Sequence, residues 1–461
     1  MRRFLFSAAL ATLLLAACTP SVTLLTRPPD ATSTSQSAKP TATDFPAPSR
    51  TPAPSPTPAL TFDPEMVRGV ETEAWFSGEI PILAQMAADF SAVNPWGVKI
   101  AVVSYPNLNQ LAQAIAASLE TNAPPGVALA LPEQISAWRT AARDLTPYAA
   151  HSQWGLGPAG ILPVFAAASS AEGVTVSVPV IRSARYLFYN VTWAQELGFE
   201  SAPRTWEAFR AQACAANAFW RSDADPANDG FGGLALETFP NWQTPYGWLR
   251  AGNGDVLVDG RWSFASEQNA AVLERLLELR EAGCAWLPTS LTNFENLAVR
   301  RALFVSGSVS DFSAQRAAFA AAGSADEWTV IAFPGETPAV PVYGLDAVIF
   351  QADARREWAA WLFVRWLTEP EQQVRLARAT GWLPVSRPAF GLLQSDLTAN
   401  VQKGTAAALL NDAVAAPSFS GWEKANKVLA DGFIYLFRVF PNLSARQVLE
   451  QMDALMNDLL K

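Results

Sequence analysis

Thr72–Ser77 reads TEAWFS, Ile80–Pro95 reads IPILAQMAADFSAVNP, Val98–Tyr105 reads VKIAVVSY, Leu108–Asn122 reads LNQLAQAIAASLETN and Gly126–Gln134 reads GVALALPEQ. The first, third and fifth stretches read as strands. The second and fourth are helices by spacing, with Leu83, Met86, Phe90 and Val93 on one face of the first. DLTPY, at 144–148, closes a loop after the next helix. This β-α-β-α-β order predicts an α/β fold with a mostly parallel sheet and helices on both faces.

Upstream the chain is of another kind. Arg2 and Arg3 precede a short apolar run, Phe4–Ala17, which ends LLAAC at Cys18. The run is too short to span a bilayer, so it reads as a targeting segment. Small residues just before Cys18 match a bacterial lipoprotein signal. Residues 1–17 are then removed and Cys18 carries the lipid that tethers the chain to a membrane. From Cys18 to residue 64 the chain is mostly Pro, Ser, Thr and Ala. Such a segment cannot bury enough apolar surface to offset its ordering entropy, and is expected to be a disordered spacer.

The remaining chain, roughly 400 residues, suits two domains. The net charge is −9, which argues against nucleic acid as a partner. Besides Cys18 there are two cysteines, Cys214 and Cys284; an even pair in an exported protein reads as a disulfide. The one histidine, His151, lies in a loop-like stretch and reads as a surface residue, so triads and histidine-rich zinc sites are disfavoured. SDADPANDGFGG, at 222–233, places Asp223 and Asp225 like the first ligands of a calcium loop. Its glycine comes late, and Leu234 stands where a bidentate glutamate belongs. A polar turn is the better reading, and neither metal nor cofactor is expected.

Several blocks occur in a telling order: NPWGVKI (94–100), PPGVALAL (124–131), VSVPVIRSARYLFYN (176–190), ELGFESAPRTWEAF (196–209), GNGDVLVDGRWSF (252–264) and WAAWLFVRWLTEPEQQVRLARATGWLPVS (358–386). Together they resemble the bacterial extracellular solute-binding proteins of ABC importers, in particular the maltose-binding-protein-like, sugar-binding group. The family commonly has aspartate where Gly126 stands and methionine where Asp311 stands. The resemblance implies a type II periplasmic-binding-protein fold: two α/β lobes with a ligand cleft and a hinge. It places chain crossings near Val176–Ile181, Val305–Asp311 and Pro388–Leu392. Lobe 1 is then 65–177 with 309–388, and lobe 2 is 182–305 with 392–461. Thr205 is expected to cap the helix from Trp206. Ser444 and Gln447 form a capping box for the last helix, with Val448, Met452, Leu455 and Leu459 as its apolar face.

Tryptophan is abundant, at 17 residues, and an indole face stacks well on a sugar ring. Trp358, Trp361, Trp366 and Trp206 read as packing residues. The ligand-binding candidates sit at strand ends and in the loops that match the family's cleft: Phe76, Ser77, Glu79, Glu133, Arg182, Tyr186, Asn241, Trp242, Gln243, Asp311, Tyr343, Gly344, Asp346 and Trp422. Trp422 matches by position a tryptophan that stacks on sugar in the family. The function implied is capture of a carbohydrate by hinge closure and delivery to an ABC permease, by a monomeric, non-catalytic, extracytoplasmic protein anchored through its lipid. The alternatives are a polyamine or other cationic solute, drawn by Glu133, Asp311 and Asp346, and a carboxylate-pair glycosidase.

Overall fold

A computed structural model describes residues 61–157, 160–171 and 173–461. The expected signal segment 1–17, lipidated Cys18 and nearly all of the 18–64 linker lie outside the described residues. No helix among the described residues is long and apolar enough to cross a membrane.

One sheet of ten strands organises the fold. In chain order they are β1 (Glu71–Ser77), β2 (Lys99–Tyr105), β3 (Val127–Ala130), β4 (Val178–Asn190), β5 (Leu234–Ala235), β6 (Ala285–Trp286), β7 (Phe304–Ser308), β8 (Trp328–Ile331), β9 (Val340–Ile349) and β10 (Ala413–Ala415). Their spatial order is β6-β5-β7-β4-β9-β3-β1-β2, with β8 also paired to β4 and β10 to β9. The expected parallel pairing holds in two wings, β2-β1-β3 and β6-β5-β7. The centre differs. β4 and β9 run antiparallel to each other, and each also lies antiparallel to the wing beside it.

Each wing has its own core. Phe76, Phe90, Ile181, Trp358 and Trp361 pack in the first. Trp193, Phe209, Trp248, Leu276 and Phe304 pack in the second. Val93, expected on the buried face of its helix, is exposed, and Ala87 takes its place beside Met86 and Phe90. Thr205 accepts the Ala208 N–H, and the Ser444–Gln447 capping box is present. The buried stripe of the last helix is Val448, Leu449, Met452 and Met456. Leu455 and Leu459 face solvent, because the stripe follows the i, i+4, i+8 row through Val448. His151 is half-buried rather than a free surface residue: its Nδ1 accepts the N–H groups of Gln153 and Trp154, and its ring meets Trp358 edge-on.

Two passages between lobes differ from the expected ones. Val309–Ile331, expected in lobe 1, packs with the second wing. Trp328–Ile331 pair with Leu187–Asn190, and Phe312 and Phe319 join Phe188 in one cluster. The resemblance implies a crossing over SGSVS, at 306–310. Gly307 there is pressed by the Phe188 ring, 2.0 Å from where a Cβ would be. β9 runs beside β4 at the sheet centre, pairing with Val178 to Ala184. Pro388–Leu392 falls within the helix Arg387–Leu392, and just before it Leu383 and Ser386 bridge Arg182 and Ile161.

Cys214 and Cys284 are joined, with a sequence separation of 70. The bond ties the helix Trp206–Trp220 to the start of β6. Closing a loop of that size stabilises by about 4 kcal/mol in the chain-entropy view. At the sheet centre, Arg182 and Asp346 form an ion pair of 2.6 Å, with both side chains almost wholly buried. Asp346 Oδ2 accepts the hydroxyls of Ser169 at 2.5 Å and Ser177 at 2.7 Å. Arg182 donates to the carbonyls of Phe165 at 2.7 Å and Leu345 at 3.2 Å.

Removing one partner leaves the other charge buried and unpaired. Asp346→Ala is therefore expected to lower the unfolding free energy by about 3–5 kcal/mol. An Arg182→Met/Asp346→Leu double variant should lose less. Urea denaturation of all three proteins checks this; a single variant within error of wild type would refute the assignment.

Candidate functional site

The helix Pro132–Ser136, following β3, lies against the helix Trp422–Val439, which packs on the second wing. Ser418 Oγ also reaches the Ala168 carbonyl at 3.3 Å. A cleft of about 110 Å³ lies at this junction. Five candidates meet there: Glu133, Arg182, Trp242, Tyr343 and Trp422. Trp242 meets Trp422 edge-on at 5.1 Å and Tyr343 at 6.3 Å. Trp422 in turn stacks on Trp262 at 5.7 Å. The Trp422 ring is only 2% exposed, so it belongs to the core as well as to the cleft. Its Nε1 has no hydrogen-bond partner among the described residues.

Glu133 is half-buried as a residue, yet its carboxyl is enclosed in the cleft wall. Burial pushes that carboxyl up to about 7, and the Asp346 charge adds to the rise. The Glu133 backbone N–H, the Trp242 indole and Arg182 pull the other way. Arg182 has its charge matched by Asp346, and Glu133 is the acidic residue of the cleft lining.

The other candidates fall elsewhere. Phe76 is core, against Phe363. Ser77 donates to Glu79, and Glu79 accepts the Leu108 N–H, so these two brace the start of the helix Leu108–Glu120, which follows β2. Tyr186 is fully buried. Its hydroxyl donates to the Ala406 carbonyl, and burial holds the phenol far above its ordinary value. Gly344 has φ +154, and a Cβ there would meet the Ile181 carbonyl at 2.2 Å. The close approach its glycine permits is to β4, not to a ligand. Asp346 belongs to the buried pair. Gln243 opens the helix Gln243–Ala251 without lining the cleft. Gly126, where the family commonly has aspartate, would place a Cβ 1.9 Å from Thr72 Oγ1, so a side chain does not fit.

Asn241 and Asp311 line a second, larger chamber of about 630 Å³, with Arg185, Glu237 and the 288–294 loop. Sequence reasoning missed Arg185, Glu237 and the segment Ala415–Ser420, which forms one wall of the cleft. APSFSG, just before Trp422, carried the signal for that segment. Arg185 and Glu237 had none, because they meet only in three dimensions. In the 222–233 loop, Asp223 accepts the Asp225 N–H and the Asn228 amide, and Asp225 accepts the Ala227 N–H. The turn uses its own carboxylates.

Two lobes sharing a central pair of antiparallel strands, with a cleft between them, define a binding protein of the type II periplasmic kind. Residues 85–409 match the bacterial extracellular solute-binding protein family, and the chain belongs to it. It is 23% identical over 304 residues to a binding protein of Brucella abortus, covering 64% of this chain and 71% of that one. Among solved structures it is similar to the cyclic alpha-maltosyl-1,6-maltose binding protein of Arthrobacter globiformis. That match has TM-score 0.68 and 19% identity, covering 85% of this chain and 99% of that one. It is also similar to the sugar-binding protein MalE of Xanthomonas citri, with TM-score 0.73 and 18% identity, covering 85% and 97%.

Because the folded carboxyl of Glu133 binds its proton more tightly than the ordinary 4.5, its stabilising effect is full below that value. It is lost as pH rises through about 7. Glu133→Gln should flatten this loss. Thermal midpoints of both proteins between pH 4 and 8 test it; parallel curves would show that Glu133 does not titrate there.

Proposed function

We propose that this protein is a lipid-anchored, extracytoplasmic solute-binding protein that captures a carbohydrate by closing its two lobes and delivers it to an ABC permease. The observation that carries this reading is the cleft wall. Trp242, Tyr343 and Trp422 offer aromatic surface, and Glu133 and Ser136 offer polar groups. A sugar needs both, ring faces for its C–H groups and acceptors for its hydroxyls. A solute touching both lobes favours the closed state by its extra affinity for it. The Arthrobacter and Xanthomonas proteins, which share the fold, are named for sugars. Family membership supports the permease partner and the location outside the cytoplasm. The same membership favours binding over catalysis, and a monomer satisfies the reading.

A second reading is favoured by Glu133 itself. An enclosed carboxyl in the cleft wall suits a polyamine or another cationic solute.

Calorimetry of the purified protein against saccharides and polyamines separates the two. Saturable saccharide binding without turnover is expected. A cationic solute pairs with ionised Glu133, so its affinity would climb as pH passes about 7; a neutral sugar has no such climb. Binding only to polyamines, with that climb, would replace the first reading by the second. For the anchor, Cys18→Ser is expected to move the protein from the membrane fraction to the soluble fraction. An unchanged distribution would remove the lipid from the proposal.

A further inference from the structure

Trp262 does not line the cleft, yet it touches the wall that does. It ends a short hairpin in which Leu257 and Val258 pair with Trp262 and Arg261. The hairpin is seated from its far side: Asp453 of the last helix accepts the N–H groups of Phe264 at 2.6 Å and Ala265 at 3.0 Å. From there Trp262 makes three contacts with the segment Phe419–Trp422. Its ring stacks on Trp422 at 5.7 Å, with 21° between the planes. It meets Phe419 edge-on at 5.8 Å. Its Nε1 donates to the Ser420 carbonyl at 3.0 Å. Phe419, Ser420 and Trp422 all line the cleft.

That segment needs a hold from outside. Gly421 stands at the start of the helix Trp422–Val439 with φ +90, and no side chain caps the helix there. Glycine turns the chain sharply at this backbone angle but brings no group of its own to fasten the turn. A Cβ on Gly421 would lie 2.9 Å from Trp262 Nε1, so the close approach of the indole depends on the glycine. The indole N–H on the Ser420 carbonyl, one residue earlier, then ties the turn down. The stack acts on the ring itself. An indole has two faces, and Trp262 covers one of those of Trp422. A solute meets only the other, and meets it already oriented; a ring free to turn would have to be ordered on binding, which costs affinity.

We propose that Trp262 is a positioning residue for solute capture, holding the Phe419–Trp422 wall and the Trp422 ring in place from behind the cleft. The inference rests on the carbohydrate reading of the cleft, which it deepens by naming a residue that acts on the sugar only through others.

The wild-type protein is compared with Trp262→Ala, which removes both holds, and with Trp262→Phe, which keeps a stacking ring but not the N–H. Trp262 is half-buried and lies outside the ten-stranded sheet, so both variants leave the sheet as it is. Two measurements are made: amide hydrogen exchange, and calorimetry against glucose, maltose, cellobiose and xylobiose. In Trp262→Ala, exchange over residues 419–425 is expected to rise by about tenfold while the sheet strands exchange as in wild type. Affinity for the saccharides that wild type binds should fall by about fivefold. Trp262→Phe should recover most of the affinity and keep part of the raised exchange. Exchange that rises evenly over the whole body would make Trp262 a purely structural residue and overturn the inference. Unchanged exchange or affinity in Trp262→Ala, or a Trp262→Phe no better than Trp262→Ala in affinity, overturns it too, and each leaves the carbohydrate reading standing. If wild type binds none of the saccharides, the carbohydrate reading fails, and the exchange pattern alone decides whether Trp262 holds the wall.

Discussion

The Arg182–Asp346 pair sits where the two lobes share their strands, and the arrangement around it follows from its burial. Taking both charges out of water costs several kcal/mol, which is recovered only with close geometry and satisfied remaining groups. Here Ser169, Ser177 and the carbonyls of Phe165 and Leu345 complete the set. Three of these come from the Phe165–Ser177 segment and the fourth, Leu345, from β9. The pair therefore binds the Phe165–Ser177 segment, β4 and β9 into one register. The break in pairing between Leu345 and Asp346 falls at this point. A one-residue slip would carry the carboxylate to the other face of the sheet and strand the guanidinium.

The cleft inherits its character from that neutralisation. Arg182 reaches the cleft wall, but its charge is spent on Asp346. The rest of the lining is then aromatic surface, one enclosed acid, serine hydroxyls and Arg139. Trp422 shows how closely cleft and core are joined. It leans on Trp262 and Trp242, and the helix it opens is packed along most of its length in the second core. A residue with that much contact holds its ring in one orientation before any solute arrives, which lowers the ordering cost of binding.

The wings of the sheet were legible in the sequence because their periodicities are local. TEAWFS, VKIAVVSY and GVALAL each became strands, and Thr205 and Ser444 cap the helices expected of them. The crossings were less so. VPVIRSARYLFYN is one strand that pairs with β9 up to Ala184 and with β7 from Arg185 on, and its sequence does not change character where the partner changes. Tyr186 and Asp346 stand at strand positions that suit a ligand as well as a core, and only the partners that meet them, the Ala406 carbonyl and Arg182, decide between the two. Those partners lie 220 and 164 residues away in the chain. No local pattern carries that information.

The two chambers are separated by the start of one helix, and the way that start is built explains why they differ. Asn241 Oδ1 accepts the Thr244 N–H, satisfying a donor that the first turn leaves free. Thr244 then turns its hydroxyl to Glu237 and accepts from Arg185 Nε at 3.1 Å. The helix start is thereby fastened to the charged chamber on one side. Trp242, the residue between, points its ring the other way, into Trp422 and Tyr246. Adjacent residues thus supply a polar wall and an apolar wall, and a shift of this turn would disturb both chambers together. The coupling is geometric: the hydrogen bonds that hold the polar side also fix where the indole can lie.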